Sequence, residues 1–176
     1  MRPTLLVAGL LVGAACQPNT GRPGLSPLPE SAGTEVRLAP AEATRKLAEA
    51  LRADSVPVRK VLVRDAYLET DWFDAQTGRS RRPALGFGVV RIRAWADPAR
   101  PGSSLLSVET AYRALADPSL PDRELDRQVP AKHPVAVKVE AILQQMVKQF
   151  GGPPPPQTSP PAASPAAPGR PAPSDQ

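Results

Sequence analysis

Apolar and polar positions change period several times along this 176-residue chain, and each change predicts an element. Ala43, Leu47, Ala50 and Leu51 recur at helical spacing and predict a helix from Pro40 to about Asp54. Pro40 suits the first helical position, where its missing N–H costs nothing. Ser55-Val56-Pro57 ends the helix, because a residue preceding proline avoids the helical region. From Val58 to about Phe73 the chain is rich in Val, Tyr, Leu, Trp and Phe, which predicts strands, and Asp74 to Gly78 supplies turn residues. Leu85 to Ala96 alternates, with Val90, Ile92 and Ala94 on one side and Arg91, Arg93 and Trp95 on the other. After the turn cluster Asp97 to Gly102, Leu106, Val108 and Tyr112 alternate against Ser107, Glu109 and Arg113. Two such strands predict an antiparallel hairpin with one dry and one wet face. On the wet face Glu109 falls across from Arg91 or Arg93, a pair of modest worth.

The strongest amphipathic stripe is Val135, Val139, Ile142, Leu143, Met146 and Phe150, in a helix that begins at His133-Pro134 and stops at Gly151-Gly152. Its large side chains predict that this helix is the main cover of the sheet. The smaller, Ala-rich stripe around Leu47 should then be the less sensitive to truncation. Ala116 to Pro130 is a charged, proline-punctuated connection. The expected fold is α+β: a two-layer sandwich of a three- to four-stranded antiparallel sheet covered by two helices, in the order α-β-β-β-α. The domain is expected over residues 35–152. Residues 153–176 hold Arg170 and Asp175 as their charges and ten of the 24 prolines, which predicts a disordered proline-rich tail.

The start of the chain changes the picture most. Met1-Arg2-Pro3-Thr4 precedes the apolar run Leu5 to Val12, and Gly13-Ala14-Ala15 precedes Cys16, the single cysteine. A short positive start, a brief apolar run and small residues make a secretory signal peptide over 1–15; the run falls short of the ~20 apolar residues that span a bilayer. With Cys16 directly after it, this leader resembles the lipobox of bacterial lipoproteins. That resemblance implies that Cys16 receives a diacylglyceryl group and becomes the acylated first residue. A lone thiol without a pairing partner in an oxidising compartment agrees with modification. In such lipoproteins Asp after the cysteine marks inner-membrane retention, so Gln17 is similar to proteins sorted to the outer membrane, facing the periplasm. The helix-and-sheet layout is also similar to small accessory lipoproteins of outer-membrane assembly and lipopolysaccharide transport. Residues 16–34 carry Pro18, Pro23, Pro27 and Pro29 with almost no large apolar residue, and are expected to form a flexible tether that lets the domain stand off the membrane.

Composition then narrows the chemistry. With 22 Lys and Arg against 17 Asp and Glu the chain is mildly basic, its charges are interspersed, and no basic helix or stacking-aromatic array suggests nucleic acid. His133 is the single histidine and precedes Pro134, which suits a helix cap or a surface residue. No zinc spacing, phosphate-cradling glycine loop or nucleophile elbow is present, so no metal, cofactor or catalytic residue is expected. Glu69 and Asp71 share a strand face and Asp74 a turn, at a spacing that fits no calcium loop. Two binding candidates remain: the Arg91, Arg93 and Trp95 face, with Trp95 the aromatic expected to be exposed, and the loop arginines Arg79, Arg81 and Arg82 as an anion contact. The expected function is that of a non-enzymatic, lipid-anchored envelope protein working through a protein partner or in envelope assembly. Binding of a glycan or lipid head group is the second expectation and an enzyme the third.

Overall fold

The structure, a computed structural model, describes residues 20–151. The signal peptide, Cys16 and the tail from 153 lie outside the described residues. The elements run β1 (Ala32–Val36), α1 (Pro40–Ala53), β2 (Val58–Leu62), β3 (Tyr67–Thr70), β4 (Phe73–Asp74), β5 (Gly86–Pro98), β6 (Ser104–Arg113), α2 (Asp122–Leu125), β7 (Asp126–Gln128) and α3 (Pro134–Phe150). The class is α+β, as expected, but the antiparallel sheet has seven strands rather than three or four. The additions are short pieces that complete longer neighbours. β1 and β7 share the outer edge of β6, and β3 and β4 share that of β5, in a path β1-β6-β5-β3-β2.

The hairpin of β5 and β6 is the spine, and its register sets Arg93 opposite Glu109. Alternation sends Val90, Ile92, Ala94, Ala96, Leu106 and Val108 into one core with both helices. α1 crosses β5 and β2, while α3 lies over β1. Pro40 opens α1 without a side-chain cap, and Gly151, at a φ of 73° that a glycine tolerates, ends α3.

The two helices share the cover, which corrects the expectation that α3 dominates. Ala43 and Ala48 let α1 approach the sheet closely, so Leu47 is as completely buried as Ile142, each 1% exposed. Leu47→Ala and Ile142→Ala should therefore cost similar amounts, ~2–5 kcal/mol each. Urea melts of the two variants, one at least twice as damaging as the other, would contradict a shared cover.

The ordered chain also begins before residue 35. Gly21 N donates to Asp65 Oδ2 at 2.9 Å, Arg22 pairs with Asp97 at 2.8 Å, and Leu28 N donates to Glu109 Oε2 at 3.0 Å. Residues 21–28 thus form a strap across the sheet face away from the helices. The chain turns at Leu28–Ser31 and returns as β1 along the edge of β6. Proline-rich composition predicted a tether here. Bonds to acids held by the sheet order the strap instead.

Candidate functional site

The far face of the sheet, expected to be wet, is closed. Trp95 and Tyr67 are fully buried with ring centroids 5.6 Å apart. Trp95 lies between Asp97 and Glu109, the residues to which the strap is tied, so it is not an exposed binding residue. Beside it sits a cluster of buried charges. Glu109 Oε1 accepts from Arg93 Nη1 at 2.7 Å and from Arg123 Nη1 at 2.8 Å; its Oε2 accepts from Arg123 Nη2 at 3.0 Å and from Leu28 N. Asp126 accepts from Arg93 Nη1 at 3.0 Å and from Arg113 Nε at 2.7 Å. Arg123 also donates to the carbonyl of Ser26 in the strap. Burial alone would lower the Arg93 guanidinium, but its bonds to Glu109 and then Asp126 outweigh that and raise it.

This arrangement decides what the face can do. The Glu109 and Asp126 carboxylates are fully buried, Glu109 held by two arginines and Asp126 by three, so neither can reach a substrate. They are a structural clamp that binds β5, β6, β7, α2 and the strap together. The Tyr67 phenol donates to Glu69 Oε2 at 2.7 Å, and burial, then this bond, raises its pKa. Tyr67 is therefore a poor proton donor to anything else.

Arg91 differs from its neighbours. It forms no ion pair among the described residues, and its Nε is buried without a partner. Burial, and then the nearby Arg93, lowers its pKa. Its guanidinium lies 5.1 Å from the centre of the half-buried Trp72 ring, and that of Arg113 lies 4.9 Å from it. Of the three residues expected to form a ligand face, Arg93 is consumed in the clamp and Trp95 is covered. Arg91 keeps its charge available, with Trp72 in the place expected for Trp95.

The end of the sheet where β5 starts, β6 stops and α3 begins collects a second set of groups. Arg79, Arg81 and Arg82 are exposed on the loop before β5. Arg82 meets Arg59, Lys60, Glu69, Thr70 and Asp71 around a depression of about 380 Å³. Within it Asp71 is paired with Arg59 at 2.6 Å, and Glu69 lies near Lys60 at 3.9 Å. Asp74, which the sequence placed in the turn, accepts from the N–H groups of Gln76 and Thr77 and from the Thr77 hydroxyl, holding its carboxyl below the usual range. Gly78 follows at a φ of 68°. Among the described residues no cluster of three or more His, Cys, Asp or Glu is placed to hold a metal.

Five of the six large exposed apolar side chains among the described residues share this end: Leu85, Phe87, Leu115, Leu120 and Val137. Leu85, Leu115 and Leu120 lie in loops, Phe87 at the start of β5 and Val137 on the outer side of α3, so no periodic stripe in the sequence marks them as a patch. Phe87 rests edge-on against His133 at 4.8 Å and against Tyr112 at 5.3 Å.

His133 caps α3, its Nδ1 accepting from Val135 N at 3.3 Å. Burial lowers its pKa, against an opposing contribution from the Phe87 carbonyl. The folded state therefore binds this proton less well than the unfolded chain. Stability from this residue is complete above pH ~6.5 and is lost as pH falls through the depressed folded value. Because His133 is the single histidine, urea melts at pH 7.5 and 5.5 isolate it. The wild type should be less stable at pH 5.5, and His133→Asn, which keeps a capping side chain, should show a flatter dependence. An identical pH dependence in both proteins would contradict this role.

Neither a protein-family model nor a curated protein sequence matches this chain.

Proposed function

We propose that this protein is an exported, lipid-anchored component of the bacterial envelope, held in the outer membrane at Cys16 and facing the periplasm, that acts by binding a protein partner and not by catalysis. The leader ending at Cys16 and the Gln17 that follows it support the anchor and its address. One observation carries the binding reading: Leu85, Phe87, Leu115, Leu120 and Val137 are exposed at one end of the sheet, beside Arg79, Arg81 and Arg82. The partner that fits is an envelope protein presenting an apolar surface rimmed by acidic residues. The rim charges would speed and orient the encounter, and the apolar side chains would supply the affinity.

Affinity purification of the anchored full chain from its native envelope tests this. Leu85→Asp with Leu115→Asp should reduce the recovered partner at least ten-fold and leave the melting temperature unchanged. Leu105→Asp, at a large exposed apolar residue away from this end, should leave recovery unchanged. Recovery indifferent to Leu85 and Leu115, or self-association alone, would contradict the reading.

The Arg91–Trp72–Arg113 stack supports a second reading, binding of an anionic glycan or lipid head group. Aromatic and guanidinium faces suit a sugar ring and its acidic substituent. Trp72→Ala would remove such binding, whereas the apolar pair of substitutions would leave it intact.

A further inference from the structure

The strap fixes how far the domain can stand from its anchor. Gly21 is bonded to Asp65 in the β2–β3 turn, Lys60 Nζ donates to the Gly21 carbonyl at 3.4 Å, and Arg22 is paired with Asp97 at the end of β5. Cys16 precedes Gly21 by five residues, and a fully extended chain advances ~3.6 Å per residue, so their Cα atoms are at most ~18 Å apart. The strap then runs from Gly21 toward Leu28, away from that end. An acyl group on Cys16 therefore places one particular end of the sheet beside the bilayer. This end carries the turn 63–66, the turn 99–103 and the link 37–39 between β1 and α1.

The charges of this end fit an anionic surface. Arg37 and Arg64 are exposed and form no ion pair among the described residues. Arg100 is paired with Glu35 and Lys60 lies near Glu69, so Arg37 and Arg64 are the unpaired cations of this end among the described residues. The acids here are already engaged: Asp65 by Gly21 N, Asp97 by Arg22, and Glu35 by Arg100 at 2.8 Å and by the Ser103 hydroxyl at 2.6 Å. The attraction of bases to anionic head groups decays within a Debye length, ~8 Å at physiological salt, and a reach of at most ~18 Å from the anchor lets this end approach to within that range.

We propose that this end of the domain, through Arg37 and Arg64, is a lipid-contacting surface that docks the protein on anionic head groups; the proposal rests on acylation of Cys16. The domain does not stand off on a long tether. It sits on the membrane with its apolar, arginine-flanked end pointing away, toward other envelope proteins.

The test uses the acylated full chain in vesicles of phosphatidylethanolamine and phosphatidylglycerol carrying a head-group fluorescence acceptor. Because acylation occupies the single native thiol, Ala99→Cys and Gln76→Cys each introduce one labelling site, at the membrane end and the opposite end. Strands of this length put the two labels roughly 30 Å apart along the sheet. Energy transfer from position 99 should exceed that from position 76 several-fold, and Arg37→Glu with Arg64→Glu should cut transfer from position 99 at least two-fold. With the acyl mass on Cys16 verified, equal transfer from both positions, or transfer from position 99 indifferent to charge reversal, would overturn the docked surface. A chain that carries no acyl mass and stays off the vesicles would overturn the anchor itself, and the proposal with it.

Discussion

Glu109→Ala should remove ~3–5 kcal/mol of folding stability, a large part of the ~5–15 kcal/mol that holds a domain of this size together. The reason is arithmetic of donors. Arg93, Arg123 and Leu28 N all give hydrogen bonds to this one fully buried carboxylate. Without it, Arg93 keeps only Asp126, Arg123 keeps Asp126 at 3.9 Å, and the amide of Leu28 has no acceptor. An unpaired charge out of water is far costlier than a missing surface contact. The exposed pair of Lys46 and Glu49 supplies the control: Glu49→Ala should cost under ~1 kcal/mol. The strap should loosen as well, since Glu109 is one of its ties, and Trp95 emission should shift to longer wavelength in a Trp72→Phe background. Urea melts that place Glu109→Ala no lower than Glu49→Ala would show that the cluster does not hold the far face.

The same carboxylate explains how much of this molecule its sequence discloses. Long, regular signals were legible. The stripe from Val135 to Phe150 and the run after Pro40 located α3 and α1 to within a residue or so, and alternation located the β5–β6 hairpin. Glu109 was legible as a partner of Arg93, but not as a buried one. Alternation separates apolar from polar positions; it does not separate a polar residue facing water from one facing an opposite charge. What dries this face comes from far along the chain: the strap ahead of β1, and Asp126 and Arg123 from the connection after β6. The strap itself was concealed by its composition, because four prolines in or near it suggested a tether, whereas single bonds to Asp65, Asp97 and Glu109 give it order. Trp95 held the one available clue. A tryptophan in a stripe of arginines is a large apolar group that needs a cover, and Tyr67 and the strap supply it. The short strands β1, β4 and β7 carried too few residues for any period to declare itself.

Cys16→Ser should abolish membrane attachment altogether, the largest functional effect expected of any single substitution here. On the proposed reading the leader Leu5 to Ala15 would deliver the chain to the membrane, and the Cys16 thiol would carry the diacylglyceryl group. Each buried methylene contributes ~0.8 kcal/mol to membrane binding, so two chains hold a protein where one gives only reversible contact. Among the described residues no helix is long and apolar enough to cross a membrane. The basic end of the sheet would contribute attraction that weakens with salt and does not hold the protein in place by itself. The most direct measurement is the mass of the mature N-terminal peptide from protein produced in a lipoprotein-processing bacterium. A peptide beginning at Cys16 and carrying acyl mass, absent from Cys16→Ser, is the expected result; a mature chain that begins elsewhere, or a Cys16 with its thiol unmodified, would contradict the anchor on which the proposed function depends.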